Sequence, residues 1–174
     1  LQASLDGNNK KISNIKLTTT NAGQAAIRIL GESGSISNLT MAGEVTSSYA
    51  STGGFTAAVY GKLVNCVSEI NVTSSKDKGT SGFGQLYATA RLTDVINKGT
   101  ISGTGNDIAG IAAKAAEGVE LIRCGNEGKI ICNANQISYV AGLIAESEPI
   151  MMEECYNKGN VETIDIDKTK YVAG

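Results

Sequence analysis

ISNLTMAGEV at residues 36–45, LVNCVSEINV at 63–72, LTDVINKGTI at 92–101, LIRCGNEGKI at 121–130 and MEECYNKGNV at 152–161 are one phrase written five times. ISNIKLTTT at 12–20 opens in the same way. The central residues are Asn14, Asn38, Asn65, Asp94, Arg123 and Glu154, spaced 24, 27, 29, 29 and 31 residues apart. Two residues before each stands Ile12, Ile36, Leu63, Leu92, Leu121 or Met152. One residue after stands Ile15, Leu39, Cys66, Val95, Cys124 or Cys155. Seven residues after, the last five phrases carry Val45, Val72, Ile101, Ile130 and Val161. Five residues after, they carry Gly43, Gly99, Gly128 and Gly159, with Ile70 as the exception. Self-similarity at such a period is the mark of stacked supersecondary units.

A second beat runs between the phrases. It reads TGGF around Gly54, SGFG around Gly82, IAGI around Gly110 and VAGL around Gly142, and begins again at Gly174, with spacings of 28, 28, 32 and 32. Short β-branched pieces such as EINVTS alternate with a period near two, as half-buried strands do. Glycine and asparagine interrupt every five to eight residues and leave little room for helices. Residues 109–120 (AGIAAKAAEGVE) are rich in helix formers, yet Gly110, Gly118 and the phase of the repeat assign them to strand and turn. The expected architecture is all-β: a single-domain parallel β-helix, or β-solenoid, over residues 1–174, with about six coils of 24–32 residues. Rungs stack at roughly 4.8 Å, giving a rod roughly 30 Å long. The lengths vary in polar segments at 74–80, 104–107, 133–136 and 165–170, which are expected to be loops on one face.

Composition agrees and excludes some functions. The chain has 21 glycines, one proline, six tyrosines, two phenylalanines and no tryptophan, with a net charge of −2. No run approaches the 18 apolar residues of a membrane span. No basic patch interleaved with aromatics suggests nucleic acid; the KDK at 76–78 reads as a solvated turn. The chain opens within a phrase and stops where another coil would start, so it is expected to be a fragment of a longer multidomain protein.

With the phrases aligned, the chain resembles the GLUG-type repeat region of large bacterial surface proteins, including the β-helical part of IgA-cleaving metallopeptidases. VAGLIA with CYNKGNV, and IAGIAA with CGNEGKI, carry the resemblance, which spans nearly the whole chain. The third phrase departs from it, with Glu69-Ile70 in place of a glycine turn, and a different turn is expected there. The resemblance implies a right-handed, pectin-lyase-like β-helix, extracellular and on a bacterial cell surface, acting as a stalk or adhesive module. It does not imply a peptidase here: H-E-x-x-H requires histidine, and the chain has none.

The candidate chemistries each have a structural reading beside them. Cys66, Cys124, Cys132 and Cys155 are even in number, which invites disulfides. Three of them, however, sit at a position that elsewhere holds Val, Leu or Ile, so a core thiol is the simpler reading. Asn97, Asn126 and Asn157 read as a stacked amide ladder. Glu162, Asp165 and Asp167 form an acidic cluster that is most simply a solvated loop, and Asp6, Asp94 and Glu154 stand alone. Asn38-Leu39-Thr40 and Asn71-Val72-Thr73 match the glycosylation sequon but read as ladder residues. No catalytic, cofactor-binding or metal-binding residue is therefore expected, and no enzyme activity or cofactor. Expected partners are a protein or glycan of a host or neighbouring cell, with neither nucleic acid nor membrane insertion, and end coils free to stack on another copy. The alternative is a carbohydrate-binding or polysaccharide-cleaving β-helix. A groove with exposed tyrosines and paired acids would favour it, and Tyr49, Tyr60, Tyr87, Tyr139, Tyr156 and Tyr171 make a partial case.

Overall fold

The computed structural model describes residues 1–49, 51–75, 79–133, 138–163 and 170–173. Every described element is a β-strand, paired in parallel with the strand one repeat away, in sheets of 11, 5 and 5 strands. The chain winds through the three sheets in turn. In the fourth coil, Arg91–Asn97 and Ile101–Gly103 lie in the first sheet, Asp107–Ala109 in the second and Ala112–Ala115 in the third. Four coils, the second to the fifth, have strands in all three sheets; the first has strands in the first and third, with a single bridge from Gln24 to Thr52, and the sixth in the first and second. This is a right-handed parallel β-helix, the hand favoured whenever parallel strands are joined by crossovers. The helix-prone stretch around Ala112 is strand, because its alanines fill one rung of the third sheet.

The phrase positions become rows along the axis. Ile36, Leu63, Leu92 and Leu121 stack in register, as do Val45, Val72, Ile101 and Ile130. All eight are buried, with Leu39, Cys66 and Val95 as a third row. Phe55 and Phe83 stack 5.2 Å apart inside the corner between the second and third sheets. Each buried aliphatic contributes roughly 1.5–3 kcal/mol, and each needs only its neighbours above and below. Of the polar segments at 74–80, 104–107, 133–136 and 165–170, the one at 104–107 is described throughout: residues 104–106 connect the first sheet to the second, and Asp107 opens the second-sheet strand. Residues 76–78, including the KDK, and 134–137 and 164–169, including Asp165 and Asp167, lie outside the described residues.

The central residues of the phrase share a conformation that alignment alone does not reveal. Asn14, Asn38, Asn65, Asp94, Arg123 and Glu154 all have φ between 50° and 62°, the left-handed region. The position faces solvent, as its varied chemistry implies, and its backbone makes the same kink in the second to sixth coils.

Two expectations fail. In the first coil the phrase at Ile12 is out of register: Leu5 pairs with Ile36, Lys10 with Leu39 and Ile12 with Met41. Asn8 and Asn9, also left-handed, supply the kink opposite Asn38, and Asn14 makes a second bulge. Ile12 is 48% exposed. The spacing of 24 was the short one; Leu5 to Ile36, at 31, restores the period. In the third coil no different turn forms. Lys62–Ser74 is one continuous strand, with Ile70 fully buried opposite Gly43. The glycines at this position answer crowding more than turning: a Cβ on Gly99, Gly128 or Gly159 would lie 2.0, 2.0 or 1.9 Å from the carbonyl oxygen of the coil below. Gly43 is crowded in the same way, 2.0 Å from the Ile15 oxygen, so Ile70 interrupts the row between Gly43 and Gly99.

Candidate functional site

The third sheet carries the densest group of chemically capable side chains. Alternation along its strands buries Val59, Leu86 and Ala115. The residues before them, Ala58, Gln85 and Lys114, form a row in register, which Glu146 extends. The Lys114 ammonium lies 2.6 Å from Glu146 Oε2 and 3.5 Å from Oδ2 of Asp107, which projects from the second sheet. Asp107 is 4% exposed. Burial pushes its carboxyl above the ordinary range, partly opposed by the Lys114 charge. Lys114 is raised in turn, chiefly by its hydrogen bond to Glu146. The group is thus a cation held between two carboxylates from two sheets.

The residues following that row turn the corner toward the next coil. Tyr60, Tyr87, Ala116 and Glu148 stack there, each backbone N–H donating to a carbonyl of the coil before: Leu30, Val59, Leu86 and Ala115, at 2.8 to 3.0 Å. The Tyr60 and Tyr87 rings lie 4.1 Å apart and within 10° of parallel. The Tyr87 hydroxyl donates to Gln85 Oε1 at 3.1 Å, and Gln85 Nε2 reaches Ser51 Oγ at 3.4 Å. Burial and the neighbouring Tyr60 hold the Tyr87 hydroxyl above its ordinary pKa. Between Tyr87, Lys114, Ala116, Glu146 and Glu148 lies a cleft of about 240 Å³. Its walls offer an aromatic ring, hydrogen-bond donors and acceptors, and one ammonium beside two carboxylates.

The other candidates divide plainly. Cys66, Cys124 and Cys132 are buried, Cys155 is half-buried, and all four are free thiols. Cys66, Cys124 and Cys155 point at carbonyl oxygens 3.4–3.5 Å away, in their own coil and the one below. Burial pushes Cys66 up to about 11 and Cys124 up to about 12, so neither is a ready nucleophile. The asparagine ladder forms inside the coil. Asn97 Nδ2 donates to Asn126 Oδ1, and Asn126 Nδ2 to Asn157 Oδ1, both at 2.8 Å; each also donates to the carbonyl two residues on. The second-beat glycines make room for it, since a Cβ on Gly110 or Gly142 would strike Asn126 or Asn157 at 2.3 Å.

Of the sequons, Asn38 donates to Asp6, and Asn71 accepts from the Thr100 amide. Asp94 is held bidentate by Arg123 at 2.7 and 2.8 Å, and Glu162 pairs with Lys129 at 2.8 Å. Besides Tyr60 and Tyr87, Tyr139 and Tyr171 stack at 5.2 Å, Tyr156 donates to Glu127, and Tyr49 is exposed. Asp107, Lys114 and Glu146 were not singled out from the sequence. The signal was present: Lys114 and Glu146 are 32 residues apart, the same as Gly110 and Gly142, so they occupy one row.

No model of a known protein family matches the chain, and no curated protein matches it in sequence. Among solved structures, it is similar in fold to a Bacteroides ovatus protein provisionally described as an immunoglobulin A1 protease. The two superpose with a TM-score of 0.68 at 16% sequence identity, over 97% of this chain and 68% of that one. Together with the rung register, that likeness fixes the β-solenoid fold.

Proposed function

We propose that this chain is a non-catalytic β-solenoid module of a bacterial surface protein, an extracellular stalk that also carries adhesive contacts. The observation that carries the reading is where the charges go. Arg91 pairs with Glu120, Lys98 with Glu127, Lys114 with Glu146, Arg123 with Asp94 and Lys129 with Glu162, each across one coil boundary. Such exposed pairs contribute under about 1 kcal/mol each, but they tie the charged side chains to stacking rather than leaving them poised for chemistry. The fold likeness to a protein described as an IgA1 protease supports a module of a larger surface protein. The GLUG-type phrases support the same reading.

The test is to coat beads with the purified chain, apply them to epithelial cells and mucin, and assay the supernatant for released sugars and cleaved IgA. Adhesion without cleavage is expected. Turnover of a polysaccharide or of IgA at enzyme-like rates sinks the non-catalytic part. The carbohydrate-active alternative draws on one observation, the two carboxylates of Asp107 and Glu146 meeting at Lys114. Paired acids can hydrolyse glycosides, yet here a lysine lies between them.

A further inference from the structure

We propose that the cleft beside Tyr87 is a slot for a single neutral pyranose ring, and that this is where the module holds a glycan. The inference rests on the adhesive reading above and deepens it.

The corner row reads Gly31, Tyr60, Tyr87, Ala116, Glu148 along the axis, by the pairing of the preceding residues and by the backbone bonds. Successive rungs are roughly 4.8 Å apart. Tyr60 covers one face of the Tyr87 ring at 4.1 Å. On the other face the next rung carries only the methyl group of Ala116, and the one after it carries Glu148. The row therefore skips one side chain, leaving a gap about two rungs high beside an aromatic face. Stacking needs roughly one rung of that height, so one ring fits and two do not. The volume agrees: about 240 Å³ lies below the roughly 300 Å³ lower bound of pockets for larger ligands.

At the far end of the tyrosine pair the corresponding rung is Gly31. There the Gln2 side chain lies 2.2 Å from the position a Cβ would take, and the cleft of about 310 Å³ lined by Gln2, Ile29, Gly31, Glu32, Ser33 and Tyr60 has no lysine in its wall.

The chemistry of the rim selects the ring. An aromatic face suits the C–H face of a sugar, apolar on one side with polar groups at its edge. Lys114 has three N–H donors, of which Glu146 and Asp107 engage two, so one remains for a hydroxyl. Glu146 and Glu148 can accept from hydroxyls. Because Glu146 already neutralises Lys114, an anionic sugar would meet carboxylates without a free cation, and an ammonium group would face Lys114. A neutral hexopyranose, with hydroxyls that both donate and accept, meets neither obstacle.

Saturation-transfer NMR on the intact chain tests this. The probes are methyl glycosides of glucose, galactose, mannose and N-acetylglucosamine, with N-acetylneuraminic acid and tetramethylammonium as charged controls. Transfer to the ring protons of a neutral glycoside is expected, with a Kd on the order of millimolar for so small a ligand. Ala116→Tyr extends the tyrosine row into the gap and should abolish the signal while circular dichroism stays unchanged. If that variant misfolds, Glu148→Gln, at an exposed rim position, should weaken binding several-fold instead. The slot is refuted by transfer to none of the four neutral glycosides, by preference for a charged control, or by undiminished binding in the folded variant. Bead adhesion is measured in parallel. Adhesion that survives in Ala116→Tyr refutes the slot and leaves the adhesive reading standing, whereas a native chain that does not adhere refutes that reading itself.

Discussion

Asparagine, aspartate, arginine and glutamate hold one backbone conformation at the phrase centre, and they do not hold it equally well. A left-handed residue with a Cβ costs roughly 1–2 kcal/mol, least for Asn and Asp, whose short polar side chains bond locally. Glu154, at φ 53°, has a longer side chain and lies near the Arg123 charge. Glu154→Asn should stabilise the protein by about 0.5–1 kcal/mol, raising Tm by about 1–4 °C, readable by thermal denaturation. Asn65→Val, at φ 50°, should cost about 1–2 kcal/mol, and it also loses the 2.9 Å bond to Asn38. Asp107 adds a dependence on pH. Its folded pKa is raised above the ordinary 3.8 by burial, so its protonated form favours the fold and that contribution is lost as pH rises through the folded value. Asp107→Asn cannot titrate there. The stability of the variant relative to the native chain should therefore increase from pH 3.8 upward. A constant difference in urea midpoint across pH would contradict this.

Within a coil, the asparagine ladder and the glycine rows are one device. The amides fill the interior, and glycine at two other positions leaves space for them and for the carbonyls stacked beneath. Asn126→Leu would leave the Gly128 carbonyl without its amide donor, while Asn157 Oδ1 loses one donor and keeps the Gly159 N–H, at about 1–3 kcal/mol for the orphaned carbonyl. Gly128→Ala places a methyl 2.0 Å from the Gly99 oxygen and should cost about 1–3 kcal/mol; chemical denaturation measures both. Much of this was legible in the sequence, because rows repeat: the aliphatic positions, the core cysteines and the amide ladder all appear once the phrases are aligned. What misled was local likeness without period. ISNI at residues 12–15 looks like ISNL at 36–39, yet the first coil stacks Leu5 on Ile36, since the left-handed Asn8, Asn9 and Asn14 bulge the strand and shift its register. The Tyr87 cleft was hidden for another reason. It depends on a small residue, Ala116, interrupting a row, and a missing side chain leaves no motif.

Across the whole molecule, stability is a sum over coil boundaries. Leu92 and Leu121 occupy equivalent places on successive rungs, so deleting residues 92–120 joins Arg91 directly to Leu121 and keeps every row in phase. That shortened chain should fold cooperatively, with small-angle scattering giving a rod shorter by roughly one rung, about 5 Å. A deletion of half as many residues breaks the phase and should yield an unfolded or aggregated product. The connection at residues 104–106, which runs from the first sheet to the second outside every buried row, has a further consequence. Evolution can lengthen, shorten or rewrite the residues between the first and second sheets without disturbing any buried row. That edge is then free to diversify rapidly, as an antigenic surface under immune selection would, and a foreign epitope inserted there should be presented without cost to the scaffold beneath it.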